Sequence, residues 1–255
     1  MFKGFKKKAI CPVPVEDVRW VRWAFSWLIN NFGEELYDNK QILVPEYSSF
    51  PIQYNGQRES AEETLKIVAV QMDVLPEDIH LSIYTEGTNS IGTGGIFQSE
   101  VFVEQQGGHS GGLYWGRNEE DNKYHIGLEQ KVLRDPEEIV ATLAHEIAHI
   151  KLLGEGRLTE NDEPLTDLAT IVFGFGIFNA NAAFRFKNTF DSGGYKRLGY
   201  LSQMQWGFAL AYWAYSRNDD NPDWIKYLSA DLRSDFKKSM QYILENEQLI
   251  FSDDL

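Results

Sequence analysis

Residues 135–154 read DPEEIVATLAHEIAHIKLLG, and this stretch decides the fold of the second half of the chain. Asp135 followed by Pro136 is typical of a helix N-cap and first helical position. Two glutamates then fall in the first turn, where they favour the positive end of the helix dipole. Good helix formers follow, and Gly154 is a typical helix end. The stretch therefore predicts one helix from about Asp135 to Gly154.

The same helix carries the sequence H-E-x-x-H at residues 145–149. Histidines four positions apart lie one turn apart on one helix face, so the imidazoles of His145 and His149 can bind one Zn²⁺. Glu146 is one position further round the helix and can reach a water molecule at the metal. The motif predicts a catalytic zinc site in which Glu146 is the general base.

A catalytic zinc ion needs a third protein ligand, and the acids after the next loop are the candidates. A short loop leads to a second helix that carries Glu163 and Asp167. Helices joined this tightly run antiparallel, so depth can be counted from the turn at about 1.5 Å per residue. This count predicts Glu163 as the third ligand, near His149. It places Asp167 behind His145, where its carboxylate can accept the second ring N–H.

Other assignments of the acids stay open at the level of the sequence. Pro164 disfavours the α conformation at Glu163, which could then cap the helix while Asp167 binds the metal. Glu160 and Asp162 are further alternatives. If Asp167 or another ligand closed the fourth coordination position, the zinc ion would be structural.

H-E-x-x-H followed by E-x-x-x-D resembles the zincin metallopeptidases, specifically their glutamate-ligand (gluzincin) branch. The resemblance covers residues 137–171, and the chain is also similar to uncharacterised bacterial zincin-like proteins. The resemblance implies that His145, His149 and Glu163 bind zinc. It further implies that Glu146 is the general base and that Asp167 orients a histidine. Only thirteen residues separate His149 from Glu163, a spacing that departs from the larger families.

Alternation of apolar and polar residues predicts strands around Leu81 and Ile83, over residues 97–103 and over Tyr124–Leu128, separated by glycine-rich turns. None of the glycines forms a phosphate-binding pattern. The zincin resemblance implies that Tyr124–Glu129 is an edge strand next to the zinc helix and pairs with an extended peptide. His80 and His125 alternate with apolar residues and are predicted to be exposed.

Helices are predicted before the strands, over Val15–Asn31 and Ser60–Asp73, and throughout the chain after Asp135. The fold class is therefore α+β, with a small, mainly antiparallel sheet followed by a helical C-terminal half. A chain of 255 residues fits a single zincin-like domain. Its parts are residues 1–134 with the sheet, residues 135–190 with the zinc-binding helix pair, and the C-terminal helices of residues 191–255.

Composition restricts the partners. The 24 basic and 38 acidic residues give a net charge of −14, which argues against binding to nucleic acid. The single cysteine, Cys11, cannot form an internal disulfide. No apolar run reaches the length of a membrane span. These features predict a soluble cytoplasmic protein without a nucleic-acid or membrane partner.

Two functions from different classes follow from the motif. The first is a zinc-dependent hydrolase, a metallopeptidase acting on a peptide or protein substrate. The alternative is a non-catalytic zincin-like interaction or sensor module with a structural metal. Tyr195, Arg197 and Tyr200 follow a glycine-containing joint and come within reach of the site, although a structural role is favoured for each.

Overall fold

The computed structural model describes residues 9–85, 111–185 and 200–251. The α-helices are α1 (Val15–Phe32), α2 (Glu34–Asn39), α3 (Arg58–Gln71), α4 (Pro136–His149), α5 (Glu163–Val172), α6 (Gly176–Arg185), α7 (Gln203–Ser216), α8 (Ala230–Glu245) and α9 (Glu247–Phe251). The strands are β1 (Ile79–Tyr84), β2 (Gly112–Arg117) and β3 (Tyr124–Glu129). The predicted strand over residues 97–103 lies outside the described residues.

The three described strands form a mixed sheet in the order β1-β3-β2. β1 runs parallel to β3, and β2 runs antiparallel to it. Among the described residues the sheet is therefore mixed, with one parallel and one antiparallel pair, and not mainly antiparallel as predicted. Alternation of side chains identifies a strand and its two faces but carries no information on strand direction, which depends on how the connections cross the sheet.

β3, the strand just before α4, is central among the described strands and not at an edge. β3 pairs with β1 on one side and with β2 on the other, so the prediction of an edge strand at Tyr124–Glu129 is wrong. Among the described residues β3 is the only partner strand of β2, and β2 is the strand that packs on α4.

The sequence did not predict β2, because the glycines at its start, Gly111 and Gly112, are typical of turns. Gly112 is the first residue of the strand, and a Cβ atom there would lie 2.6 Å from Thr142 Cγ2 and 2.7 Å from Glu146 Oε1. Glycine at this position thus allows β2 to approach α4 closely. Between Tyr114 and Gly116 the register shifts at a β-bulge, which further hides the alternation.

The structure confirms the helices predicted over Val15–Asn31, Ser60–Asp73 and Asp135–Gly154 to within about two residues at each end. Asp135 caps α4, since its Oδ1 accepts the N–H of Glu137 at 2.8 Å. The helical path continues beyond His149 as a π-helical turn, Ile150–Gly154, and ends at the predicted glycine. Helices occupy most of the described chain after Asp135, as the α+β class with a helical C-terminal half requires.

α4 is the central element of the packing. It contacts α3, α5, α6 and β2, and residues 139–144 are all buried. Ile139, Leu143 and Ile147 are fully excluded from solvent. A helix buried on nearly every side holds its side chains in fixed rotamers, so α4 is a rigid support for polar groups placed on it.

The two strand histidines differ in exposure. His80 is exposed, as predicted, whereas His125 is only 6% exposed, so the prediction of an exposed His125 is wrong. Every residue of β3 is buried, because the strand is covered on both faces. Within the described ranges, no helix is both long enough and apolar enough to cross a lipid bilayer.

Candidate metal centre

The two motif histidines lie on one face of α4 and point toward the start of α5. Their ring centroids are 4.9 Å apart, with the ring planes nearly perpendicular at 86°. α5 begins with Glu163, and the cap is the preceding residue: Asp162 accepts the N–H of Leu165 at 3.0 Å through its side chain. The carboxylate of Glu163 is thereby left to face α4.

One carboxylate oxygen of Glu163 lies close to the Nε2 atoms of both histidines. Its Oε2 lies 3.0 Å from His145 Nε2 and 3.5 Å from His149 Nε2. In a tetrahedral site with metal–ligand bonds of about 2.0–2.1 Å, neighbouring ligand atoms are about 3.3–3.4 Å apart. Ligand atoms of the three residues all lie within 4.8 Å of one another. This set of two imidazole nitrogens and one carboxylate oxygen fits Zn²⁺ in both chemistry and spacing.

The other acids are placed differently. Asp162 is engaged as the cap of α5, and Glu160 is exposed in the loop. Asp167 lies on the far side of His145, with its Oδ1 3.2 Å from the Nδ1 atom. Its Oδ2 accepts the N–H of Tyr200 at 2.8 Å and that of Leu201 at 3.4 Å. Asp167 therefore contacts the ring nitrogen that faces away from Glu163.

His149 is held in a different way from His145. Its Nδ1 is buried and has no hydrogen-bond partner among the described residues. The ring instead stacks on that of Tyr114 from β2, with centroids 6.0 Å apart and planes at 13°. Packing orients His149, whereas a carboxylate orients His145.

Glu146 points from α4 toward β2 and is only 2% exposed. Its carboxylate lies against Gly112 and accepts a backbone hydrogen bond from Tyr114. Burial raises the pKa of Glu146 to about 7, and the nearby carboxylate of Glu163 adds to this rise against the opposing charge of His145.

The side chains of His145, His149 and Glu163 influence one another's pKa values. Burial alone would lower the pKa of His145, but hydrogen bonds to Asp167 and Glu163 outweigh it and hold the pKa well above 6.5. Burial likewise opposes ionisation of Glu163, yet the contacts with His145 lower its pKa to about 2. Burial and the charge of His145 together lower the pKa of His149 to about 3. A cation bound between the three would replace the proton that His145 and Glu163 share.

Several residues at the site were missed or left aside in the sequence analysis. The Tyr200 hydroxyl forms a hydrogen bond with Glu163, and Asn161 donates its side-chain N–H to Glu163 Oε1 at 2.9 Å. The only sequence signal for Tyr200 was its position after the glycine-containing joint. Tyr195 and Arg197 lie outside the described residues.

The ligand group lies just beneath the surface. The side chains of His145, His149 and Glu163 are 12%, 6% and 14% exposed. A cleft of about 490 Å³ opens on the Glu163 side and is lined by residues 158–164 and Tyr200. Access to the histidines from this cleft therefore runs past Glu163 and the Tyr200 ring.

No protein-family model, curated protein or solved structure matches this chain. Its function is therefore inferred from the geometry and chemistry of the residues just described.

Proposed function

We propose that this protein is a zinc-dependent hydrolase of the zincin type that cleaves peptide bonds. The observation that carries the proposal is the convergence of His145, His149 and Glu163 on one point, beside the buried carboxylate of Glu146. The first three residues would hold the zinc ion. Bound there, Zn²⁺ would lower the pKa of a water molecule and polarise the scissile carbonyl.

The protein's own part in the reaction is proton transfer and positioning. Glu146 takes the proton of the attacking water and delivers it to the leaving amine. The buried carboxylate of Glu146 lies beside the three residues that would hold the ion, where a proton acceptor and donor is needed. Asp167 fixes the orientation and tautomer of His145 through the Nδ1 contact.

A peptide substrate would lie along β2. Through Gly112 and Tyr114 this strand contacts Glu146 and His149. We propose that this segment contacts the substrate next to Glu146 and His149.

A structural metal closed by Asp167 is disfavoured by the geometry. Asp167 faces Nδ1 of His145, while Glu163 faces Nε2, and both Asp167 oxygens already have partners. Asp167 is therefore not aimed at the fourth position of a metal held on the Nε2 side.

The rival function is a non-catalytic interaction or sensor module with bound zinc, and one observation favours it. The three ligands and Glu146 are almost fully buried, so a substrate must widen the approach past Tyr200. A module that only binds zinc needs no such opening.

Glu146→Gln separates the two functions. The substitution should leave zinc stoichiometry unchanged and abolish hydrolysis, because the ligands stay and only the base is lost. Zinc is measured by metal analysis and hydrolysis by cleavage of a broad peptide library. Glu137→Gln, on the first turn of the same helix, is the matched control and should keep full activity.

Two results would count against the peptidase. Glu146→Gln cleaving peptides as fast as the parent would exclude the mechanism. Stoichiometric zinc in the parent without cleavage of any library peptide would favour the interaction module.

A further inference from the structure

A second group of metal-ligating side chains lies on the sheet, apart from α4. His80 in β1 and His125 in β3 are direct partners in the parallel register, and their rings stack with centroids 4.6 Å apart. Asp121, in the turn before β3, brings its Oδ2 to 2.8 Å from His125 Nε2. Ligand atoms of the three residues lie within 4.8 Å of one another.

The turn that carries Asp121 is ordered by its own hydrogen bonds. The Asn118 side chain accepts the N–H of Glu120 at 2.7 Å and that of Asp121 at 3.3 Å. Oδ1 of Asp121 accepts the N–H of Lys123 at 3.0 Å, which leaves Oδ2 directed at His125. The carboxylate is therefore positioned before any ligand arrives.

This group and the H-E-x-x-H group lie on opposite faces of the sheet. Tyr114, whose ring stacks on His149, is the register partner of Ile126, and register partners share a face. Successive side chains along a strand point to opposite faces, so His125 points away from the face that Ile126 shares with Tyr114. The two groups cannot share one ion.

We propose that His80, Asp121 and His125 form a second metal site, for a divalent transition-metal ion such as Zn²⁺. Two imidazoles and one carboxylate are a donor set that suits this class of ion. His125 is fixed by burial, and Asp121 Oδ2 already lies 2.8 Å from its Nε2 atom. The exposed His80 ring therefore has to move by at most about 1.5 Å to reach the spacing of roughly 3.3 Å that a tetrahedral ion requires. Water completes the coordination on the open side.

The charges around this second site determine its affinity for zinc. Arg58 and Lys123 place positive charge near His80, which weakens its attraction for a cation. The H-E-x-x-H group has an additional supporting carboxylate in Asp167. The second site should therefore bind zinc more weakly than the first. When occupied, it links β1 to the β2–β3 turn through β3.

The test is a calorimetric zinc titration of the full chain, using zinc chloride, with four proteins. The parent should bind two ions, and His80→Gln and Glu163→Gln should each bind one. The double variant should bind none. His80 is exposed on a strand surface, so a glutamine there keeps the fold while removing the imidazole ligand.

Asp121→Asn and Glu120→Gln provide a matched pair, because both remove one negative charge from the same turn. Asp121→Asn should weaken the second binding step by more than about tenfold, the least expected even for an outer-shell partner. Glu120→Gln should leave it unchanged.

Two results would overturn the proposal. One is a parent that binds a single ion, lost in Glu163→Gln and kept in His80→Gln. The other is a weak second step that survives both His80→Gln and Asp121→Asn, which would mark adventitious binding. Failure of the first site alone looks different: one ion would remain in Glu163→Gln and disappear in His80→Gln.

Discussion

Asp167 is the residue whose role most sharply tests the arrangement around His145. Asp167→Asn should retain zinc at the H-E-x-x-H group with affinity weakened by about 10–100-fold, the usual effect of losing an outer-shell partner. Titration in the His80→Gln background removes the contribution of the second group. Glu163→Gln should lose this zinc far more completely, because it removes a ligand.

Glu160→Gln is the control for these variants, since Glu160 is exposed in the same loop. It should bind zinc like the parent. Parent-like zinc binding by Glu163→Gln, together with complete loss in Asp167→Asn, would exchange the roles of the two acids.

Tyr200 offers a second prediction at the scale of a residue. Its hydroxyl bonds to Glu163, and burial raises its pKa to about 12, so the phenol stays protonated at neutral pH. Tyr200→Phe keeps the ring and removes the donor to the ligand carboxylate. Zinc affinity should fall by about tenfold, the lower end of outer-shell effects, with the melting temperature nearly unchanged. An affinity equal to that of the parent would show that this hydrogen bond does not support the ligand.

At the scale of elements, the contact between β2 and α4 depends on Gly112. A Cβ atom there would lie 2.6 Å from Thr142 Cγ2 and 2.8 Å from Glu146 Cγ, so Gly112→Ala must displace α4 side chains. We expect a loss of about 1–3 kcal/mol in the free energy of unfolding, the usual range for overpacking, measured by urea denaturation. Peptide hydrolysis should fall further, because Glu146 is one of the groups displaced.

Leu113→Ala is the comparison for this variant. Leu113 is the next residue of β2 and is 36% exposed, so its truncation should cost less stability than Gly112→Ala. If Gly112→Ala were as stable and as active as the parent, the close approach of β2 to α4 would be irrelevant to the position of Glu146.

The helices at the site were predictable from sequence because their signals are local. The Asp135–Pro136 cap and the four-residue spacing of His145 and His149 lie within one element. The sheet was less predictable because its features are not local. Strand direction and the central position of β3 depend on connections between distant segments of the chain. The role of Gly112 was likewise not predictable from local sequence, because a glycine is needed there only when α4 packs on β2.

At the scale of the whole molecule, zinc held between α4 and α5 should stabilise the fold against unfolding. A ligand at about 100 times its dissociation constant contributes about 2.7 kcal/mol, which for a chain of this size raises the melting temperature by about 5–10 °C. The measurement is thermal unfolding of His80→Gln with and without zinc chloride. The same scan of His80→Gln combined with Glu163→Gln should show no shift, and an equal shift in both would place the stabilising ion elsewhere.

Asp167 also gives the site a mechanical link to the rest of the chain. One of its oxygens faces His145, and the other accepts the N–H groups of Tyr200 and Leu201, just before α7. Any substitution that displaces the backbone at Tyr200 or Leu201 would therefore retune the orientation of His145 without touching its ring.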